Sequence, residues 1–232
     1  MTTFDRIMIW GAHPDDEIIM AGTIAAQADA DCEVVVVTIS RGDAGYCRPE
    51  WAATIADQRR EEAAACDRIL GISERVFLGW PDQGVRHDWE LTRRLIEQLR
   101  RHRPQALFTL GPHDRNRDHS AVHEMTDEII WQAGENILAD YGEPYSVPLV
   151  FIYHGHEGMG PSIDVDVTPW AARKAEAWLS QTTQVEMLPR IRERMAALGR
   201  LEQEGGVDTE RFVIYPRVAL TDFPALPEGA DG

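Results

Sequence analysis

The sequence predicts a three-layer α/β fold, with a mostly parallel sheet covered by helices on both faces. Three observations lead there. Short apolar runs rich in β-branched residues alternate with longer segments of helical spacing. The runs are nearly continuously apolar, as expected of strands buried on both faces. The organised polar stretches follow the apolar runs, where strand-to-helix loops gather and ligands bind in such folds.

Taken in order, Arg6–Trp10 is a short apolar run and reads as the first strand. Asp15–Asp29 follows as a helix, with Ile18, Ile19, Ala21, Ile24 and Ala25 as its apolar positions and Gly22 as its one glycine. Cys32–Ser40 (CEVVVVTIS) is a buried strand. Trp51–Leu70 is a helix closed by Gly71. Arg75–Leu78 is a short strand, and Trp89–Arg101 a helix that Pro104 ends. Ala106–Leu110 is the fourth strand and Asp118–Ala139 the helix after it, with Val122, Met125, Ile129 and Ile130 on one face. Leu149–Tyr153 is a further strand, Ala171–Leu179 and Met187–Leu201 are helical, and Phe212–Tyr215 is a late strand. There is no internal repeat and no long linker, so the expectation is one domain over 1–232, with 222–232 a frayed tail. The layering is Rossmann-like. The first loop, however, has no GxGxxG, which argues against the commonest dinucleotide-binding use of such a chain.

Composition narrows the function. Apolar residues make up 44% of the 232, the level of a globular protein. Lys and Arg number 23 against 39 Asp and Glu, a net charge of −16. Such a field repels phosphate backbones, so nucleic acid is not the expected partner, and an anionic substrate would need its own basic subsite. The three cysteines, Cys32, Cys47 and Cys66, form no CxxC, which argues against a disulfide framework or a thiolate zinc site. No leader pattern and no membrane-length apolar run is visible, so a cytoplasmic protein is expected, acting on a small molecule, with a homo-oligomer open.

Four polar stretches follow the first four strands: GAHPDDE, SRGDAGYCRPEW, GWPDQG and GPHDRNRDHSAVH. Capping explains part of GAHPDDE, because acids and Pro suit the first turn of a helix. It does not explain His13, and it needs one acid rather than Asp15, Asp16 and Glu17 together. His13 and Asp16 lie three apart across a turn, so both could reach one ion. The fourth stretch carries His113, Asp114, Asp118, His119 and His123; Asp118 could be an N-cap, and His119 and His123 share a helix face. Two such loops after parallel strands converge on one rim. Two His, one Asp and an open position describe a hydrolytic zinc site, although the same set also suits iron(II).

The chain resembles the LmbE-like, or PIG-L-type, zinc-dependent N-deacetylases. The resemblance is carried by AHPDDE (12–17), SRGDAG (40–45), RREEAAACDRILG (59–71), FLGWPDQG (77–84), RDH (117–119), DVDVTPW (164–170) and RKAEAW (173–178). It implies His13, Asp16 and His119 as zinc ligands and Asp15 as the general base toward the water held by zinc. It implies Asp118 as a group that orients a ligand and tunes protonation. The activity implied is removal of an acetyl or other acyl group from an amine of an amino sugar or sugar-bearing small molecule. Many relatives carry HPDH, whose first histidine has an acid or oxyanion role; here Asn116 stands in its place, able to donate a hydrogen bond but not a proton. His113, His154 and His156 are candidates to substitute. Gln181, in SQTTQ (180–184), stands where relatives often have another His. These departures keep two alternatives open: a catalytically weak metal-binding pseudoenzyme in small-molecule biosynthesis, and an amidase on a thiol conjugate or other nonsugar metabolite.

Asp43, Arg59, Asp82, His113 and His154 complete the candidates for substrate contact. Arg59 also lies three residues from Glu62, a spacing at which the two would pair on a helix surface. Asp43 and Asp82 sit in glycine-rich loops and could cap them instead. HGHEGMGPS (154–162) is either a lid or a plain surface loop.

Overall fold

The computed structural model describes residues 2–215. The expected tail at 222–232 lies outside the described residues. Seven strands form one sheet: β1 (Arg6–Gly11), β2 (Glu33–Ser40), β3 (Glu74–Trp80), β4 (Ala106–Leu110), β5 (Leu149–His154), β6 (Ser162–Asp166) and β7 (Thr209–Ile214). Their order is β3-β2-β1-β4-β5-β7-β6. The first five strands run parallel, and β7 is antiparallel to both β5 and β6. The helices are α1 (Ala21–Asp29), α2 (Ile55–Leu70), α3 (Trp89–His102), α4 (Arg117–Gly134), α5 (Ala171–Ser180), α6 (Thr182–Met187) and α7 (Ile191–Leu198). They lie on both faces, α1 packing with α2 and α5, and α3 packing with α4. The core runs through β1, β2 and β4, whose Ile7–Trp10, Val34–Val37 and Leu107 are buried. Among the described residues no helix is long and apolar enough to cross a membrane.

The chain starts at β1, builds outward through β2 and β3, and returns to the other side of β1 with β4. The loops after β1 and β4 therefore leave adjacent strands in opposite directions. They open a crevice at the carboxyl end of the sheet, the place where open α/β sheets bind ligands.

Several elements differ from expectation for identifiable reasons. The helix expected from Asp15 begins as a 3-10 turn, Asp16–Met20, and becomes α1 only at Ala21. The buried Glu210 of β7 accepts from the Gly22 and Thr23 amides at 2.9 and 2.8 Å, which satisfies the start of α1 from a distant strand. The helix expected from Trp51 starts at Ile55, after a 3-10 turn at Pro49–Trp51; Gly71 ends it in the left-handed conformation as predicted. The helix α4 stops at Gly134 rather than Ala139. There the buried Arg100 donates to the carbonyls of Gln132, Ala133, Glu135, Ile137, Leu138 and Gly142, so the helix end and the next loop share one cap. The helix expected at Met187–Leu201 is confined to α7, Ile191–Leu198, and Met187 instead ends the unanticipated α6, because Leu188 is extended before Pro189 and Arg190 takes a positive φ of 63°. Strand β6 was not anticipated: it is an edge strand, largely exposed, and lacks the apolar run of the inner strands.

Candidate metal centre

Strand β1 ends at Gly11, and the chain turns so that the Asp16 carboxylate folds back onto the His13 amide, Oδ2 accepting at 2.9 Å. Asp16 thus faces inward instead of capping the turn. From the other side of the crevice α4 presents His119 in its first turn. Its N-cap is Asn116, whose Oδ1 accepts from the Asp118 amide at 2.9 Å. Asp118, a possible cap on sequence grounds, lies inside the helix and is fully buried.

Three donor residues meet. His13 Nδ1 lies 3.1 Å from His119 Nε2. Asp16 Oδ1 lies 3.1 Å from His119 Nε2, and Asp16 Oδ2 lies 3.7 Å from His13 Nδ1. All three residues are buried. Bonds of ~2.0–2.2 Å to a tetrahedral ion give ligand-to-ligand edges of about 3.3–3.6 Å. The observed separations bracket that value, so this set of two imidazoles and one carboxylate fits a zinc-sized dication.

The surrounding charge favours the same occupant. His13 Nε2 has Asp82 Oδ1 at 3.2 Å and Asp118 Oδ2 at 3.4 Å, and His119 Nδ1 has Asp114 Oδ2 at 2.7 Å. Burial works against charge on His13, yet Asp118, Asp16 and Asp82 outweigh it and push its pKa up to about 12. His119 is likewise opposed by burial and raised to about 9 by Asp16 and Asp114. Burial pushes the Asp16 carboxyl up, but His119 and His13 hold it well below the usual range. Burial also raises Asp82, but contact with His13 takes it down to about 2. The carboxylates around both rings favour positive charge in the cluster, and a dication supplies it.

Asp15 borders this cluster. Its Oδ1 lies 2.6 Å from an Arg59 guanidinium nitrogen, and Arg59 is buried. Burial pushes the Asp15 carboxyl up, with Arg59 opposing and Asp16 adding to the rise. The β2 loop closes over Arg59. Gly42, at φ +65°, and Gly45 lie so near the guanidinium that a methyl on either would overlap it. A cleft of about 270 Å³ opens onto the cluster, lined by His13, Asp15, Asp16, Arg59, Asp82 and Asn116 together with His119, Ala44, Gly45, Gln83 and Gln184.

Comparison with known proteins shows the family. Residues 8–130 match the family profile described as PIG-L: GlcNAc-PI de-N-acetylase. The chain belongs to this family. It is 33% identical over 183 residues to a 1D-myo-inositol 2-acetamido-2-deoxy-alpha-D-glucopyranoside deacetylase of Kineococcus radiotolerans, covering 63% of this chain and 51% of the relative. The chain spans about half to three-fifths of the length of the first such relatives. Among solved structures it is similar to the conserved protein TT1542 of Thermus thermophilus, with a TM-score of 0.76 and 29% identity over 93% of this chain and 96% of that one. It is also similar to GalB, the 4-carboxy-2-hydroxymuconate hydratase of Pseudomonas putida, with a TM-score of 0.76 and 25% identity over 95% and 100%.

In this PIG-L family member the remaining candidates fall into two groups. Asp82 and Asn116 line the cleft with Asp15 and Arg59. Asp43, His113 and His154 do not. Asp43 Oδ1 accepts from the Asp82 amide at 2.8 Å while Asp82 Oδ2 accepts from the Ala44 amide at 3.2 Å, so the two acids stitch the β2 and β3 loops together. The exposed His113 donates its amide to the Gly155 carbonyl, and His154 contacts Asp114 behind the cluster. His123 turns away to the Leu110 carbonyl, and His156 to that of Arg211. The expected Arg59–Glu62 surface pair does not form. Both residues are buried, Arg59 goes to Asp15, and Glu62 accepts from Thr182 Oγ1, the Thr183 amide and Thr183 Oγ1. Gln181 is buried against the Glu62 carbonyl rather than facing the cleft. Glu17 is an internal anchor, 2.5 Å from Arg75 of β3, which also holds Asp67. Sequence reading missed Gln184, which reaches the cleft by donating to the Gly45 carbonyl at 3.0 Å; its one signal was the polar run SQTTQ.

Proposed function

We propose that this chain is a metal-dependent hydrolase that removes an acetyl or other acyl group from an amine of an amino sugar or sugar-bearing small molecule. The observation that carries it is the meeting of His13, Asp16 and His119 at 3.1–3.7 Å beside Asp15 in one cleft. Family membership and the similarity to inositol amino-sugar deacetylases support it. His13, Asp16 and His119 would hold zinc, or iron(II), for which the donor set is also suited. Bound there, the metal supplies Lewis acidity, activating water at neutral pH and polarising the amide carbonyl.

The chain's own residues do the rest. Arg59 holds Asp15 Oδ1, leaving Oδ2 to take the proton of the attacking water. The raised Asp15 pKa suits a carboxyl that holds this proton and then delivers it to the leaving amine. Asn116 spends its Oδ1 on the Asp118 amide, so Nδ2 is the group it offers the cleft, as a donor to the developing oxyanion. Asp82 Oδ1 and Asp118 Oδ2, 3.2 and 3.4 Å from His13 Nε2, favour a proton on that nitrogen, which leaves Nδ1 for the metal.

The test is metal analysis joined to an amine-release assay on N-acetylglucosaminyl inositol and other N-acyl amino sugars. Activity should need metal and vanish in His13→Ala; activity that persists without metal overturns the proposal. A second reading, hydration of an activated double bond, is favoured by Asn116 together with the similarity to GalB, since hydration expels no amine needing an acid. Turnover of 4-carboxy-2-hydroxymuconate with no amine release from the amide panel would select it.

A further inference from the structure

Asp114 lies outside the cleft, yet both of its carboxylate oxygens are engaged beside the cluster. Its Oδ1 accepts from the Asn116 amide at 2.7 Å. Its Oδ2 faces His119 Nδ1 at 2.7 Å and His154 Nε2 at 2.9 Å. An ionised carboxylate only accepts, so His119 Nδ1 points its proton at it, with His154 Nε2 close beside the same oxygen. A neutral His119 with its proton on Nδ1 has its lone pair on Nε2, the nitrogen that meets Asp16 and His13.

His154 reaches Asp114 through a break in the sheet. Strands β4 and β5 pair in step from Ala106↔Leu149 to Thr109↔Ile152, and then Leu110 pairs with His154. Beyond this bulge the Gly111 amide donates to the His154 carbonyl at 2.7 Å. Gly111 and Gly155 back onto each other so closely that a methyl on Gly111 would overlap the Gly155 carbonyl. The two strand ends are thereby drawn together, with His154 on one and Asp114 on the loop leaving the other.

We propose that Asp114 is the positioning residue of the metal centre and His154 its brace. Asp114 fixes the tautomer and ring orientation of His119, and His154 ties that carboxylate to β5. The proposal rests on the metal site put forward above. It is distinct from a second ion site, because 2.7 and 2.9 Å to one oxygen are shorter than the about 3.3–3.6 Å edges of a tetrahedral ligand set, and the His119 contact is a hydrogen bond. Replacing such an outer partner typically loosens a metal about 10–100-fold.

The test measures zinc affinity by competition with a chromophoric chelator for the native chain, His13→Ala, Asp114→Ala, Asp114→Asn and His154→Ala. Long-range nitrogen-proton NMR of the zinc-loaded proteins reads the His119 tautomer. One zinc per native chain is expected, with Nδ1 protonated on His119. Asp114→Ala should bind about 10–100-fold more weakly. Asp114→Asn, which keeps the shape and one acceptor oxygen, should lose less, and His154→Ala should lose several-fold while staying folded by circular dichroism. Zinc bound by Asp114→Ala within threefold of native, an Nε2-protonated His119, or a second zinc equivalent abolished by His154→Ala would each overturn the proposal. A native chain that binds no zinc sinks the metal reading and this proposal with it. Native binding left intact by Asp114→Ala sinks this proposal alone.

Discussion

Asp15 and Arg59 form a 2.6 Å ion pair across the rim of the cleft, with the arginine buried and the carboxylate reaching the surface. Removing the cation removes the one neighbour that opposes the rise of the Asp15 pKa most strongly. Arg59→Ala should therefore move the acid limb of the kcat/KM–pH profile to higher pH, since Asp15 must be ionised to act as base. Arg59→Lys should shift it less. An acid limb unchanged in Arg59→Ala would separate Asp15 from that limb.

Metal uptake should release protons and strengthen as pH rises. In the metal-free fold Asp16 and Asp114 push His119 up to about 9, and Asp118, Asp16 and Asp82 push His13 up to about 12, both against the opposing effect of burial. A metal ligand must be deprotonated, so below about 9 each binding event displaces protons, and affinity falls with falling pH. Calorimetry of zinc binding at neutral pH in buffers of different ionisation enthalpy gives the count. The expectation is at least one proton; none released would contradict this electrostatic picture.

Glu17 belongs to the fold rather than to the chemistry. It is fully buried and 2.5 Å from Arg75, itself shared with Asp67. Glu17→Ala leaves a buried guanidinium with one partner fewer, a change that costs about 3–5 kcal/mol in comparable buried pairs. Urea unfolding should show a loss of that order. A loss below about 1 kcal/mol would mean that water or Asp67 fully replaces Glu17.

Arg100 should matter as much as a core residue, although it is charged. It donates to six backbone carbonyls at the end of α4 and in the following loop. Arg100→Ala leaves several of them unsatisfied, each costing about 1–3 kcal/mol if no water enters. Hydrogen exchange should speed up in the last turn of α4 and in residues 135–142, while the His119 end of the same helix stays protected. Uniform exchange along α4 would mean that the clamp acts globally.

Much of the fold was legible in the sequence. Buried parallel strands must be apolar along their whole length, so Ile7–Trp10 and Val34–Val37 declared themselves. Gly71 marked the end of α2 because a left-handed cap favours glycine. The elements that were misjudged depend on partners distant in sequence. Asp16–Met20 is a 3-10 turn whose continuation, α1, is capped by Glu210; α4 stops where Arg100 gathers carbonyls; β6 exists because β7 offers it an edge.

The candidate site divides in the same way. Motif position follows from local pattern, and a parallel sheet brings the loops that carry His13, Asp16 and His119 to one rim; the strand order that sets β1 beside β4 belongs to the packed molecule. Which side chains turn inward depends on the packed molecule. Arg59 had two partners open to it, Glu62 on its own helix and Asp15 across the cleft, and helical spacing favours the first. Burial decides for the second: the β2 loop excludes water from Arg59, and an unscreened guanidinium needs the nearest carboxylate with an open face. Glu62 is meanwhile taken by Thr182 and Thr183, the former 120 residues away. Spacing along one helix cannot express a contact whose strength comes from the water that other segments remove.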